Sequence, residues 1–256
     1  MSARFGGSVV LVAGGTGGLG KAVTTAFLEE GASVAVSYRN QAEWESFENS
    51  QSANAARLQG HVVDVTDEAA ATQLIEKTFS KHGRLDVMVN TIGGHAGGLK
   101  LWEMETKVFE QMLSLNLRSG YALSRAAVRT MFKQGRGAIV NVAAKAAFDH
   151  AAGASAYAAS KAAAVAMLDS LAAEVKGTGV RVNTILPSII DTEANRKAMP
   201  KADFAKWPSP TTSRVSFCFY AAMTPKSFTA PPSPSMATVD GKLSANGSSS
   251  GHGFLP

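Results

Sequence analysis

Tyr157 and Lys161 stand four residues apart in the run Tyr157-Ala158-Ala159-Ser160-Lys161. In a helix that spacing places both side chains on one face, about one turn apart. A phenol that titrates near pH ~10 is a poor acid at neutrality. An ammonium group beside it favours the phenolate and lowers that value. The pair therefore reads as a proton donor and acceptor for a carbonyl/alcohol couple. Any helix with one Tyr and one Lys can show the same spacing without chemistry, so its meaning depends on the elements that position it.

Those elements alternate. Ser8-Val9-Val10-Leu11-Val12 is a β-branched, buried-strand run. It breaks into Ala13-Gly14-Gly15-Thr16-Gly17-Gly18-Leu19-Gly20, and a helical pattern with Val23, Phe27 and Leu28 on one side follows at once. Strand, glycine turn and helix form the context of a dinucleotide-binding loop. Glycines allow the tight turn and let backbone N–H groups reach a pyrophosphate at the helix N-terminus. The second strand, Ser33–Tyr38, ends at Tyr38-Arg39. No carboxylate stands there to grip a ribose 2′-hydroxyl, and the Arg39 guanidinium suits a 2′-phosphate, which favours NADP(H) over NAD(H). The plain alternative for Arg39 is a solvated loop charge.

Residues 41–58 are polar and helix-compatible, and His61–Val65 reads as the third strand. Asp64 and Val65 at its end would border the adenine; a solvated strand-end charge explains Asp64 equally well. Thr66 is expected to cap a helix over 67–81. Leu85–Asn90 is the fourth strand, and it runs into Thr91-Ile92-Gly93-Gly94-His95-Ala96-Gly97-Gly98. A second glycine-rich break at a strand end is where an open parallel sheet builds its ligand crevice. A long amphipathic pattern over 105–133 carries Asn116. The fifth strand, Ala138–Val142, precedes the Ala-rich helix over 151–175 that holds Tyr157 and Lys161. The sixth, Val180–Leu186, stops at Pro187. Strict alternation predicts an α/β fold: a Rossmann-type, doubly wound parallel sheet with right-handed crossovers.

Composition narrows the classes. The chain has 256 residues, 45% of them hydrophobic, enough for one α/β domain with a full core. The net charge of +5 comes without a basic run or stripe, so nucleic acid is not an expected partner. A lone Cys218 and five scattered His residues offer neither a disulfide framework nor a metal-ligand spacing, so no metal is expected. No apolar stretch is long enough to span a bilayer, and a cytoplasmic setting without membrane contact is the expectation.

Taken together, the motifs over residues 6–207 resemble the short-chain dehydrogenase/reductase family. Ala13-Gly14-x-x-x-Gly18-Leu19-Gly20 is similar to its T-G-x-x-x-G-[IL]-G loop, with Ala in place of the leading Thr. Asn90-Thr91-Ile92-Gly93 resembles its N-N-A-G turn. Pro187-Ser188-Ile189-Ile190-Asp191-Thr192 resembles the P-G-x-x-x-T segment that holds the nicotinamide amide, with Ser188 replacing glycine. The resemblance implies an NAD(P)(H)-dependent oxidoreductase acting on a small molecule. Tyr157 would be its acid/base, Lys161 the residue that lowers the Tyr157 pKa and binds the nicotinamide ribose, and Asn116 the anchor of a water-linked proton relay. Gly14, Thr16, Gly18, Leu19, Gly20, Arg39, Asp64, Val65, Asn90, Gly93, Pro187, Ile190 and Thr192 would contact the cofactor.

One departure is chemical. The family places a serine just past the fifth strand to hydrogen-bond the substrate carbonyl, and Ala144 occupies that slot. A methyl group donates no hydrogen bond. Gly93–Gly98, Ala144–Asp149 and Asp191–Phe204 resemble a narrower group, the dihydropteridine reductases, which also carry alanine in this slot and reduce a conjugated, imine-like ring. The competing reading, supported by Ala144 and by an unusual tail, is a non-catalytic dinucleotide-binding or regulatory protein.

The pattern fails after Trp207. Residues 208–256 are rich in Ser, Thr, Pro and Gly and read as a disordered tail behind a catalytic domain of residues 1–207. The family would place a helix and a seventh strand here. Permitted codons for residues 212–237, read from each third base, spell peptides like those two elements, so the sequence also admits a shift of reading frame near Thr211. Either way six strands are expected with the seventh missing, and with it the subunit contact of a homo-oligomer that the family would imply.

Overall fold

The structure is a computed structural model, and it describes residues 4–210 together with Ala237 and Thr238. The strands are β1 (Val9–Ala13), β2 (Ser33–Tyr38), β3 (Leu58–Val62), β4 (Val87–Asn90), β5 (Gly137–Val142), β6 (Val180–Leu186) and β7 (Ala237–Thr238). All pair in parallel, in the order β3-β2-β1-β4-β5-β6-β7. The order reverses between β1 and β4, which places the crevice of the sheet at their C-terminal ends.

Helices cover both faces because the strands are apolar on both faces. Val10 and Val12 point to one side, where they join Val34, Val36, Val89, Val140 and Phe27. Leu11 and Ala13 point to the other, where they meet Met88, Ile139, Leu74, Ile75, Leu123 and Met131. This is the period of two expressed in a fully buried parallel strand. The expected doubly wound architecture is thus formed.

Several boundaries move, each for a physical reason. β3 begins at Leu58, three residues before the expected His61. Gly60 sets this register: it pairs with Val36, and a Cβ there would overlap the Trp44 ring. β3 ends at Val62, which is 66% exposed; the β-branched residues after it are not strand, and Val65 turns into the core beneath α3 (Glu68–His82). Asp67, not Thr66, caps α3, its Oδ1 accepting from the Ala70 N–H at 2.7 Å, while Thr66 bonds Asp64. The polar stretch after β2 is α2 (Gln41–Ser50) followed by a 3-10 segment, Ser52–Arg57. The long amphipathic segment is not one helix. α4 (Thr106–Leu113) and α5 (Ser119–Gln134) are joined by a π-helical turn, Ser114–Arg118, centred on Asn116. α1 spans Gly18–Glu29, α6 spans Ser155–Glu174 and α7 spans Glu193–Ala198.

At the outer edge, β7 adds two residues where none was expected, pairing Ile185 with Ala237 and Leu186 with Thr238. The outer backbone groups of β6 can accept any short extended segment, whatever its side chains. Apart from residues 208–210 and this pair, the tail lies outside the described residues. Among the described residues no helix is long and apolar enough to cross a membrane.

Candidate functional site

The glycine turn after β1 is built so that side chains have no room. Gly14 has φ +76°, a conformation glycine adopts without strain, and a Cβ there would sit 2.9 Å from Ile92. At Gly20 a Cβ would overlap the Gly14 carbonyl oxygen, so α1 can leave the turn this closely only with glycine. At Gly18 a Cβ would stand 2.8 Å from the Thr192 methyl, so the segment after β6 closes over the same turn. The N–H groups of Gly14 and Gly15 reach back to the Ser37 carbonyl at 3.1 and 3.2 Å, tying the loop to β2. The start of α1 has no side-chain cap and no acidic residue in its first turn. Its N-terminal donors and dipole thus face the crevice uncompensated, which fits a phosphate. Leu19 packs into the core against the first cluster rather than into the crevice.

The corner at the ends of β2 and β3 divides the expected cofactor residues. Arg39 is exposed beyond Tyr38, whose ring stacks on Trp44 at 5.0 Å. Asp64 is exposed, its carboxylate accepting from the Thr66 N–H and hydroxyl at 3.0 and 2.8 Å, and those bonds, with Arg39 nearby, hold it below the usual carboxylate range. The Val65 side chain is in the core and can offer a ligand only its backbone. Sequence reasoning missed Glu43: from the first turn of α2 its carboxylate accepts from the buried Thr16 hydroxyl at 3.3 Å. A carboxylate does therefore stand at this corner, one helical turn later than the strand end where it was sought.

β4 delivers the second loop. Asn90 is buried and committed: its amide donates to Asn141 at 2.8 Å and its Oδ1 accepts from the Ile92 N–H. It shapes the turn from beneath and does not line the crevice with its side chain. Thr91, another residue without an expected role, donates to the Ala13 carbonyl at 2.7 Å and so fastens the two crevice loops together. Pro187 is buried at the end of β6, its carbonyl accepting from the Lys145 N–H at 3.0 Å. Ile190 is also buried, and its carbonyl accepts from the Asn195 amide. Thr192 caps α7 through a bond from the Asn195 N–H at 3.2 Å.

The expected catalytic residues do come together. The π-helical turn sets Asn116 facing the β4 loop. There the Ser119 N–H bonds the Ser114 carbonyl, one residue further back than in an α-helix, and the Ser119 hydroxyl takes the skipped Leu115 carbonyl. Asn116 is 2% exposed. Its Oδ1 accepts from the Gly94 N–H at 2.9 Å, and its amide donates to the Gly94 carbonyl at 3.0 Å and the Ser160 hydroxyl at 2.9 Å. Ser160 in turn donates to the Tyr157 carbonyl at 2.8 Å. A buried chain thus runs from the β4 loop through Asn116 and Ser160 to the backbone of Tyr157. Ser160 was visible in the sequence only as filling between Tyr157 and Lys161. Gly93 roofs the group: a Cβ there would lie 2.9 Å from Asn116 Oδ1 and 3.0 Å from Lys161 Nζ.

Lys161 is 5% exposed and donates to the Val142 carbonyl at 3.0 Å. Burial pushes its ammonium down to about 8. Burial also raises the Tyr157 phenol, the reverse of the lowering expected from its lysine neighbour. A dry pocket disfavours the phenolate, and the Lys161 hydrogen bond goes to a carbonyl. The exposed side of Tyr157 carries His95, whose ring meets it edge to face with centroids 4.8 Å apart. Ala143 and Ala144 are buried and bring no donor to the crevice.

The chain is similar to known proteins over most of its length. The family model described as short chain dehydrogenase matches residues 8–203. A 3-oxoacyl-[acyl-carrier-protein] reductase of Thermotoga maritima is 32% identical over 199 residues, covering 78% of this chain and 80% of its own length. A D-threitol dehydrogenase of Mycolicibacterium smegmatis is 33% identical over 210 residues, covering 81% and 80%. Among solved structures, ElxO with NADP bound superposes with a TM-score of 0.79 at 27% identity, covering 84% of this chain and 91% of that one.

Proposed function

This chain belongs to the short-chain dehydrogenase/reductase family and is an oxidoreductase, and from that premise we propose that it takes NADP(H) and uses Tyr157 as the acid/base on a small substrate bearing a C=O or conjugated C=N bond. When bound, the nicotinamide supplies or accepts the hydride. The uncapped, glycine-walled start of α1 holds the pyrophosphate, Arg39 meets the 2′-phosphate, and Thr192 and Ile190 close over the nicotinamide side. Tyr157 holds the proton that passes to the substrate heteroatom, and Lys161 at its base orients the ribose and favours the phenolate as that proton leaves. Asn116 and Ser160 keep the helix and the β4 loop in register with both.

The observation that carries this reading is the buried Asn116–Ser160–Lys161 group beneath Gly93. A lysine this well buried is costly, and a binding module has no use for it. Nothing in the site favours the non-catalytic alternative. The crevice mouth favours a substrate with a flat apolar body: Trp102, Phe148 and Ile189, from the loops that follow β4, β5 and β6, are exposed apolar residues at this end of the sheet. NADPH oxidation against a panel of ketones, quinones and a quinonoid dihydropterin tests the proposal. Turnover of flat conjugated substrates is expected. Firm NADPH binding with no turnover across the panel would favour a binding protein.

A further inference from the structure

Tyr157 has a closed side and an open side. On the closed side every hydrogen-bonding group of the Asn116 amide is consumed by Gly94 and Ser160, and the Ser160 hydroxyl is consumed by the Tyr157 carbonyl. On the open side stands His95, exposed at its own surface yet held edge to face on the Tyr157 ring, with centroids 4.8 Å apart and planes at 72°.

Glycines make the room for it. A Cβ on Gly97 would lie 2.9 Å from His95 Cε1 and 3.1 Å from Nε2, so a methyl there would make the imidazole shift. Gly98 and Gly153 both have positive φ, and a Cβ on Gly153 would stand 3.4 Å from the Gly98 backbone, so the loops that follow β4 and β5 meet glycine to glycine beside the imidazole. An imidazole offers one N–H in either neutral tautomer and two when protonated, so it can donate in every state.

The geometry points to His95 as a further catalytic residue, one whose ring N–H donates to the reacting heteroatom of the substrate in place of the hydroxyl that Ala144 lacks. This rests on Tyr157 being the acid/base. Tyr157 gives up its proton to the heteroatom as the substrate carbon gains the hydride. His95 keeps its own proton and stabilises the negative charge that builds on the heteroatom before transfer is complete. Its edge-to-face seat holds the imidazole, with ring centroids 4.8 Å apart, against the residue that must reach that heteroatom.

Four variants and one probe test it, with phenanthrenequinone as substrate, NADPH as reductant, and the shift in melting temperature on adding NADPH as the check of a folded, cofactor-competent chain. His95→Phe keeps a ring against Tyr157 but has no donor; kcat should fall about ten- to a hundredfold while KM stays within about threefold. His95→Gln keeps a donor without the ring and should retain most of kcat. Gly97→Ala pushes the imidazole off its seat and should resemble His95→Phe. Adding Ala144→Ser to His95→Phe should recover about tenfold, because the serine supplies the missing bond from the other direction. Binding of phenanthrenequinone to the NADP⁺-saturated chain, followed by tryptophan quenching, should change little in His95→Phe. Equal activity in His95→Phe and the parent, a deeper loss in His95→Gln than in His95→Phe, or no recovery with the serine would overturn the proposal and leave His95 as packing. Tyr157→Phe run alongside separates the two readings: its retained turnover would defeat the acid/base assignment itself, whatever the His95 variants do.

Discussion

Lys161 carries the largest electrostatic cost in the site, and it makes the account testable without any substrate. Its ammonium falls from 10.5 to about 8 on burial. Between those values the unfolded chain binds more protons than the folded one, so stability rises with pH across that window and the cost is fully present below it. At neutral pH the penalty is roughly 3 kcal/mol by linkage, less what the bond to Val142 returns. Lys161→Met should therefore raise the melting temperature of the cofactor-free protein at pH 7 and lose that advantage as pH rises toward 10, while turnover disappears. Thermal melts across pH check both signs, and a variant less stable than the parent at pH 7 would contradict the burial argument. Asn116→Ala should cost ~2–4 kcal/mol, because it takes the side-chain partner from both polar groups of Gly94 and the donated bond from the Ser160 hydroxyl; urea denaturation measures it. Tyr157 and Lys161 stood out in the sequence because their types and spacing suit proton transfer, and Asn116 stood out through the family resemblance. Ser160 and Thr91 were not. A hydroxyl among alanines, or at a strand end, acquires a role only when the partner it bonds comes from 44 or 78 residues away.

The elements were legible wherever one period dominated. β1, β2, β5 and β6 are rich in β-branched and apolar residues and fell within a residue of their expected limits. β3 slipped by three residues because its register is set by Gly60 beneath Trp44, a contact between strand and helix that no local pattern records. The π-helical turn was hidden for a similar reason: one residue inserted into a helical ladder does not disturb the amphipathic stripe, yet it turns Asn116 toward Gly94. Glycine placement in the turn after β1 gives the sharpest test at this scale. Gly20→Ala should destabilise by ~3 kcal/mol or more and abolish NADPH binding, since the new methyl would occupy the position of the Gly14 carbonyl oxygen. Gly83→Ala is the control: it sits at a helix end with positive φ but open space, and should cost only ~1 kcal/mol with cofactor binding intact. Titration calorimetry with NADPH on both variants decides. Glu43 belongs here as well. Glu43→Gln removes a negative charge from the corner proposed for the 2′-phosphate and should tighten NADPH relative to NADH about three- to tenfold, whereas Arg39→Ala should loosen NADPH selectively.

The molecule as a whole follows from strict strand–helix alternation, which fixes a parallel sheet and puts the crevice where the strand order reverses. The sequence left the edge beyond β6 without a seventh strand because nothing in residues 208–256 has a strand or helix period. The structure places two residues there, and two ladder pairs contribute little. Truncation after Pro210 should lower the melting temperature by only a few degrees, on the order of 1 kcal/mol, and leave NADPH binding unchanged. A chain that fails to fold without its tail would show that residues beyond 210 belong to the catalytic domain, against the division at residue 207.

The most direct test of the acid/base account is single-turnover reduction by Tyr157→Phe. Mixed with NADPH and phenanthrenequinone in a stopped-flow instrument, the variant should bind NADPH with nearly the affinity of the parent and show NADPH absorbance loss slowed by about a thousandfold or more, since the acid that gives the substrate heteroatom its proton is gone. Reduction by Tyr157→Phe at a rate close to the parent's would contradict the account.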